Sequence, residues 1–192
     1  FKVGKTKTIG FYPKSKSYRI RNKLKKILVT QNENPMDFNF KGSHYSFVSS
    51  KIKKCENYLD IACGRGNGIF NFLNKANKIV GCDIDNEQLK NLKKKFLKYK
   101  HVSFLKVKGT NFQKNNYYDL INCMHTLEHV SYEEKFLGSL YKSLKNRGNM
   151  FLEVPLLMKK PLGMPLIPSH IREYEILPLV KKLLKHKFII KK

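Results

Sequence analysis

At 192 residues the chain suits one domain with a sizeable core and leaves little room for a second. No apolar run approaches the roughly 18 residues that span a bilayer, and the opening FKVGKTKTIG lacks the apolar centre of a signal peptide, so a soluble cytoplasmic protein is expected. The net charge of +25 invites a polyanionic partner, but all but five of the 39 basic residues are lysine, and arginine is the better fork for phosphates and bases. Solvated lysine faces are the plainer reading, and nucleic acid is kept as the less favoured partner.

Residues 1–50 read as a lysine-rich amino-terminal segment or lid, and 51–192 as the ligand-binding domain. A short helix is expected around YRIRNKLKKILV, a turn at Asn32-Glu-Asn-Pro35, and a helix closing the stretch 38–52. The chain starts at Phe1 rather than methionine, so a piece of a longer protein is expected.

From about residue 57 strands and helices alternate. NYLDIAC is a buried strand and GIFNFLNKA its helix. KIVGCDI is a second strand, followed by the amphipathic NEQLKNLKKKFLKY, with Leu89, Leu92, Phe96 and Leu97 on one side and Asn86 or Asp85 as its cap. HVSFLKVKG and YYDLINCM are the third and fourth strands. SYEEKFLGSLYKSLKNRG is a helix capped by Ser131, NMFLEVP a fifth strand, EYEILPLVKKLLKHK a helix despite Pro178, and FIIKK a sixth strand. Such alternation implies a doubly wound α/β fold with a mostly parallel sheet. Cys55, Cys63, Cys82 and Cys123 make no C-x-x-C pair and read as free, mostly buried thiols.

The turn after the first strand needs a bare backbone. The dinucleotide fingerprint G-x-G-x-x-G fails, because a frame begun at Gly64 ends on Ile69. The spacing is D-x-A-x-G-x-G-x-G, an acid at the strand end followed by alternate small residues.

Leu59-Asp-Ile-Ala-Cys-Gly-Arg-Gly66 resembles the first motif of class I S-adenosylmethionine-dependent methyltransferases, with Ala62 where the family usually has glycine. The resemblance implies S-adenosyl-L-methionine as cofactor, with Asp60, Ala62, Gly64 and Gly66 at its methionine end. It implies further that Asp83 accepts from the ribose hydroxyls, that Ile84 packs on adenine, and that Tyr45 covers the cofactor. After the third strand Asn111 offers a carbonyl oxygen to the adenine amino group where many relatives carry aspartate.

Tyr118-Asp-Leu-Ile-Asn-Cys-Met-His-Thr-Leu-Glu-His-Val130 resembles the small-molecule branch of that superfamily, as do Asn149–Pro155 and Ser169–Tyr174. This places Met124 and His125 beside the transferring methyl. An acceptor amine or hydroxyl needs a proton acceptor; His125 and His170 are the candidate catalytic residues. Glu128 and His129 admit two readings, a metal pair as in some quinone-precursor O-methyltransferases, or residues that orient the loop and cap the next helix. The sequence offers no evident third ligand, so no metal is expected. The proline-broken MKKPLGMPLIP, 158–168, reads as a wall or lid over the acceptor site. The family's last antiparallel strand finds no counterpart after FIIKK. The function implied is methyl transfer to oxygen or nitrogen of a small-molecule, glycan or lipid-linked acceptor. An RNA or DNA methyltransferase and a non-catalytic cofactor-binding module are the alternatives.

Overall fold

The computed structural model describes residues 44–156 and 170–190. The helix near 18–29, the turn at 32–35 and the proline-broken 158–168 therefore lie outside the described residues. Helix α1 (His44–Lys51) leads into β1 (Cys55–Ile61), α2 (Asn67–Phe70), β2 (Ala76–Asp83), α3 (Asn86–Lys95), β3 (Val102–Lys106) and β4 (Tyr118–Met124). A 3-10 turn (Leu127–His129), α4 (Glu133–Ser143), β5 (Leu144–Glu153) and α5 (Ile176–Lys185) complete the described chain.

The five strands form one parallel sheet in the order β3-β2-β1-β4-β5. The chain winds outward from β1 to β3 and then returns to lay β4 on the other side of β1. That reversal opens a crevice beyond the carboxyl ends of β1 and β4, where doubly wound sheets bind ligands.

Strand alternation divides the core between the two faces. Leu59, Ile61, Ile121 and Cys123 join Phe136, Leu137 and Leu140 of α4 and Leu179 and Leu183 of α5. Tyr58, Leu120 and Met124 join Val48 of α1 and Leu89 and Leu92 of α3. Asp60 and Asn122 share the parity of Tyr58 and Leu120, so two polar side chains enter the second face at the strand tips.

Local chemistry explains most boundaries. Asp85 caps α3, its Oδ1 accepting from Glu87 N at 2.9 Å and Gln88 N at 3.1 Å. Pro178 stands in the first turn of α5, where no intrahelical donor is lost.

Five expectations change. The helix after the glycine turn lasts only four residues, because β2 already pairs Ala76 with Cys55 and the asparagines and glycine between favour turns. Leu97 is 81 % exposed, lying beyond the α3 cap at Phe96 while Leu89, Leu92 and Phe96 are buried. Helix α4 stops at Ser143, and β5 begins at Leu144, opposite Tyr118, with a register shift. The residue at the start of α4 is Tyr132, without a side-chain cap bond, so Ser131 does not cap it. Phe188–Ile190 forms no strand: Lys187 takes φ +65 and Phe188 N donates to Leu183 O at 3.1 Å, closing α5 and burying Phe188.

Candidate functional site

The turn between β1 and α2 runs through left-handed backbone at Ala62 (φ 54), Gly64 (φ 48) and Gly66 (φ 78). A Cβ on Gly64 would meet nothing within 4 Å, so its bare backbone faces open space. Gly66 differs: a Cβ there would stand 2.8 Å from Leu92 Cδ2 and 3.0 Å from the Phe96 ring, so this glycine lets α3 close on the turn. Gly68, which sequence reasoning left out of the candidate set, approaches the site most closely. Its Cβ would stand 2.5 Å from Asp60 Oδ2 and 2.6 Å from Tyr45 Cδ1.

Asp60 is fully buried, and neither carboxylate oxygen has a hydrogen-bond partner. Burial pushes its carboxyl up to about 8; the Tyr58 hydroxyl nearby opposes that in part without forming a bond to it, and the Asp83 charge adds to it. On the adjacent strand Asn122, in register with Asp60, donates from Nδ2 to the Tyr58 hydroxyl at 2.9 Å and leaves its own buried Oδ1 without a donor. Three buried acceptor atoms thus converge at the tips of β1 and β4. Buried polar atoms are nearly always paired. What this group lacks is donors and positive charge, both of which an amino-acid ammonium supplies. An asparagine inside the apolar run Leu-Ile-Asn-Cys-Met was the only sequence signal for Asn122.

Tyr45 lies over this cluster. Burial raises its hydroxyl far above the usual range, and the charges of Asp60 and Glu153 and the Cys63 and Cys123 thiols add to that. Helix α1 therefore brings an aromatic ring against the glycine turn beside Asp60.

At the tip of β2, Asp83 accepts from Gly64 N through Oδ2 at 2.9 Å and from Asp85 N through Oδ1 at 3.0 Å. Each oxygen keeps a further lone pair, and the carboxylate is half-buried beside the turn. Next to it Ile84 is 75 % exposed, an uncovered apolar surface at the crevice. Asn111 is used differently from expectation: its Oδ1 accepts from Lys108 N at 2.9 Å and its Nδ2 donates to Lys106 O at 2.9 Å. The side chain closes its own loop and keeps only one lone pair and one N–H for a ligand.

Met124 is buried at the end of β4, and His125 follows with φ +49 and a half-exposed imidazole. Its Nε2 lies 3.0 Å from Glu153 Oε1 and its Nδ1 3.4 Å from Glu128 Oε1. Hydrogen bonding to these two carboxylates raises His125 to about 9. The two carboxylates thus favour the cationic form of His125, whereas a base must begin unprotonated.

His170 is brought against Glu128 and His129. Donor atoms of the three lie within 4.8 Å of one another, and the His129 and His170 rings meet edge to face at 5.0 Å. Bonds to backbone carbonyls hold the two segments together: Ile171 N donates to Glu128 O at 2.9 Å, and the Arg172 side chain donates from Nη1 to Leu127 O at 3.2 Å and Val130 O at 2.5 Å. The Tyr174 hydroxyl donates to Leu127 O at 3.2 Å.

A family profile described as "Methyltransferase domain" matches residues 59–150, which contain the glycine turn, Asp83 and the whole of β4. An uncharacterized protein of Methanocaldococcus jannaschii is 34 % identical over 114 residues, 56 % of this chain and 46 % of that protein. The chain thus spans about half the length of that curated relative. Among solved structures, the YcgJ protein from Bacillus subtilis is similar with a TM-score of 0.64 at 19 % identity, covering 76 % of this chain and 68 % of that one. A SAM dependent methyltransferase from Aquifex aeolicus gives 0.62 at 20 % identity, covering 77 % and 81 %. At these identities the structural likeness speaks for the fold. Among the described residues no helix is long and apolar enough to cross a membrane.

Proposed function

We propose that the chain, whose residues 59–150 match a family profile described as a methyltransferase domain, is a class I S-adenosylmethionine-dependent methyltransferase that moves a methyl group to an oxygen or nitrogen of a small-molecule, glycan or lipid-linked acceptor. The observation that carries the reading is the buried Asp60 carboxylate, which has no donor to either oxygen and lies in register with the equally unpartnered Asn122 Oδ1. Asp60 and Asn122 hold the methionine ammonium, and the open backbone at Ala62 and Gly64 lets the methionine approach. Asp83 accepts from the ribose hydroxyls with charge-assisted bonds. Ile84 covers one face of the adenine, and Tyr45 closes over the methionine end.

The cofactor supplies an already activated sulfonium methyl, so the chain's main task is to hold the acceptor atom in line at about 3–3.5 Å. Met124 shapes that position from the tip of β4. His125, held as a cation by Glu128 and Glu153, donates to the acceptor and orients it. Polar groups at this end of the crevice favour an oxygen or nitrogen acceptor.

Thermal shift separates this reading from its competitors. S-adenosylhomocysteine at 100 times its dissociation constant is expected to stabilise the protein by about 2.7 kcal/mol, and NAD to leave the melting temperature unchanged. Release of S-adenosylhomocysteine from S-adenosylmethionine with a panel of hydroxyl and amine acceptors then tests turnover. The net charge of +25 favours an acceptor with anionic groups, so RNA belongs in the panel; methylation of RNA alone, with steep salt dependence, replaces the small-acceptor reading.

A further inference from the structure

We propose that Glu128, His129 and His170 form a site for one divalent first-row transition ion of the zinc type, with a coordination position left open toward the acceptor. The three side chains converge from two segments far apart in sequence, and each offers one ligand atom within 4.8 Å of the others. Tetrahedral ligands at about 2.1 Å from an ion stand about 3.4 Å apart, so small side-chain adjustments close the site.

The convergence alone is ordinary, but the state of the buried atoms is not. Glu128 is 0 % exposed, and its Oε2 has no hydrogen-bond partner. The His170 side chain is 6 % exposed, and its Nδ1 has no hydrogen-bond partner. The 3.4 Å approach of His125 Nδ1 engages Oε1 of Glu128 only, and leaves Oε2 with nothing. Edge-to-face stacking of His129 on His170 fills space without supplying a positive charge. A bound cation answers Glu128 Oε2 and His170 Nδ1 together. Two imidazoles and one carboxylate suit zinc and its neighbours better than magnesium or calcium, which prefer all-oxygen sites.

The surroundings are those of a prepared site. Glu173 Oε1 lies 3.8 Å from His170 Nδ1, beyond hydrogen-bond distance, and adds negative charge beside the site. Ile171, Arg172 and Tyr174 all donate to carbonyls of residues 127–130, so His170 is fixed against Glu128 before any ion arrives.

Three protein ligands leave an open position. An acceptor hydroxyl bound there becomes a stronger acid. Its proton leaves to solvent, its oxygen forms the bond to the methyl carbon, and the carbon–sulfur bond breaks with its electron pair staying on sulfur, giving S-adenosylhomocysteine. This part rests on the methyl-transfer reading; ion binding itself does not.

The test is calorimetric titration of the chelator-treated full chain with zinc chloride, followed by cobalt chloride with absorption spectroscopy. One equivalent of zinc is expected, and a cobalt spectrum without a thiolate charge-transfer band. His129→Ala, His170→Ala and Glu128→Gln are each expected to weaken zinc binding at least about tenfold. His129 is exposed, so its variant keeps the test sound should a buried variant fail to fold by circular dichroism. No zinc equivalent, a thiolate band, or an affinity untouched by His129→Ala overturns the site. Failure here with intact S-adenosylhomocysteine binding leaves the methyl-transfer reading standing; zinc binding without S-adenosylhomocysteine affinity removes that reading and leaves the ion site.

Discussion

The backbone amide of Gly64 donates to Asp83 Oδ2 at 2.9 Å across 19 positions of sequence, joining the glycine turn after β1 to the tip of β2. One carboxylate thus fixes the turn and still has lone pairs for a ligand. Asp83→Ala removes both contributions. Hydrogen bonds to a charged group contribute about 1.5–3 kcal/mol, so the dissociation constant for S-adenosylhomocysteine is expected to rise roughly 10- to 100-fold in calorimetry. Asp83→Asn keeps a carbonyl for Gly64 and should lose less. Equal losses for the two variants would mean that the turn tether contributes nothing.

Asp60 gives a pH dependence with a definite sign. Its folded carboxyl stands at about 8 and an unfolded aspartate near 3.9, so the fold prefers the protonated acid. The associated stability is fully present below about pH 4 and is lost as pH rises toward 8. Asp60→Asn removes this loss, so the ligand-free variant should gain stability relative to wild type between pH 5 and 8, on the order of 3 kcal/mol at the upper end. Binding of a cation requires the ionised form. Wild-type affinity for S-adenosylhomocysteine should therefore climb between pH 6 and 8, by up to about tenfold per unit, with release of a proton. Titrations in buffers of different ionisation enthalpy check the proton, and a flat profile excludes Asp60 from the ammonium site.

Gly68 and Tyr45 form a coupled pair. Gly68→Ala puts a methyl 2.6 Å from Tyr45 Cδ1 and 2.5 Å from Asp60 Oδ2. Overpacking of this kind costs about 1–3 kcal/mol. Tyr45→Ala opens room for the methyl, so the double variant should be less destabilised than the sum of the two singles. Tyr45→Ala alone is expected to weaken S-adenosylhomocysteine binding, and an unchanged affinity takes the ring out of the cofactor pocket.

The sequence carried the fold well wherever apolar periodicity and capping agreed, as in β1, β2, β4 and the Asp85-capped α3. It failed where tertiary pairing set the boundary. Nothing local announces that Leu144 leaves a helix to pair with Tyr118, or that Phe188 closes a helix instead of starting a strand. The site shows the same division. Asp60, Gly64 and Asp83 are legible because their spacing follows one strand and one turn. Asn122 came into view only through its register with Asp60. The cationic form of His125 is favoured by Glu128 beside it and also by Glu153, 28 residues away on the next strand. The third member of the Glu128–His129 cluster comes from a segment latched by bonds to backbone carbonyls, for which sequence has no local signature.

Arg172 tests that latch. Its Nη1 bridges Leu127 O and Val130 O, and Arg172→Ala leaves Val130 O without that donor while Leu127 O keeps the Tyr174 hydroxyl. Losing a donor to a part-buried carbonyl costs about 1–3 kcal/mol, so the denaturant midpoint should fall with an unchanged slope. The groups assigned to the ammonium and ribose sit on β1, β2 and β4, and none of them touches Arg172 through a bond described above. Affinity for S-adenosylhomocysteine should accordingly stay within about twofold, whereas zinc affinity should drop with the loosened His170. A parallel loss of both affinities would mean that the segment 170–174 supports the cofactor crevice itself rather than the cluster beside it.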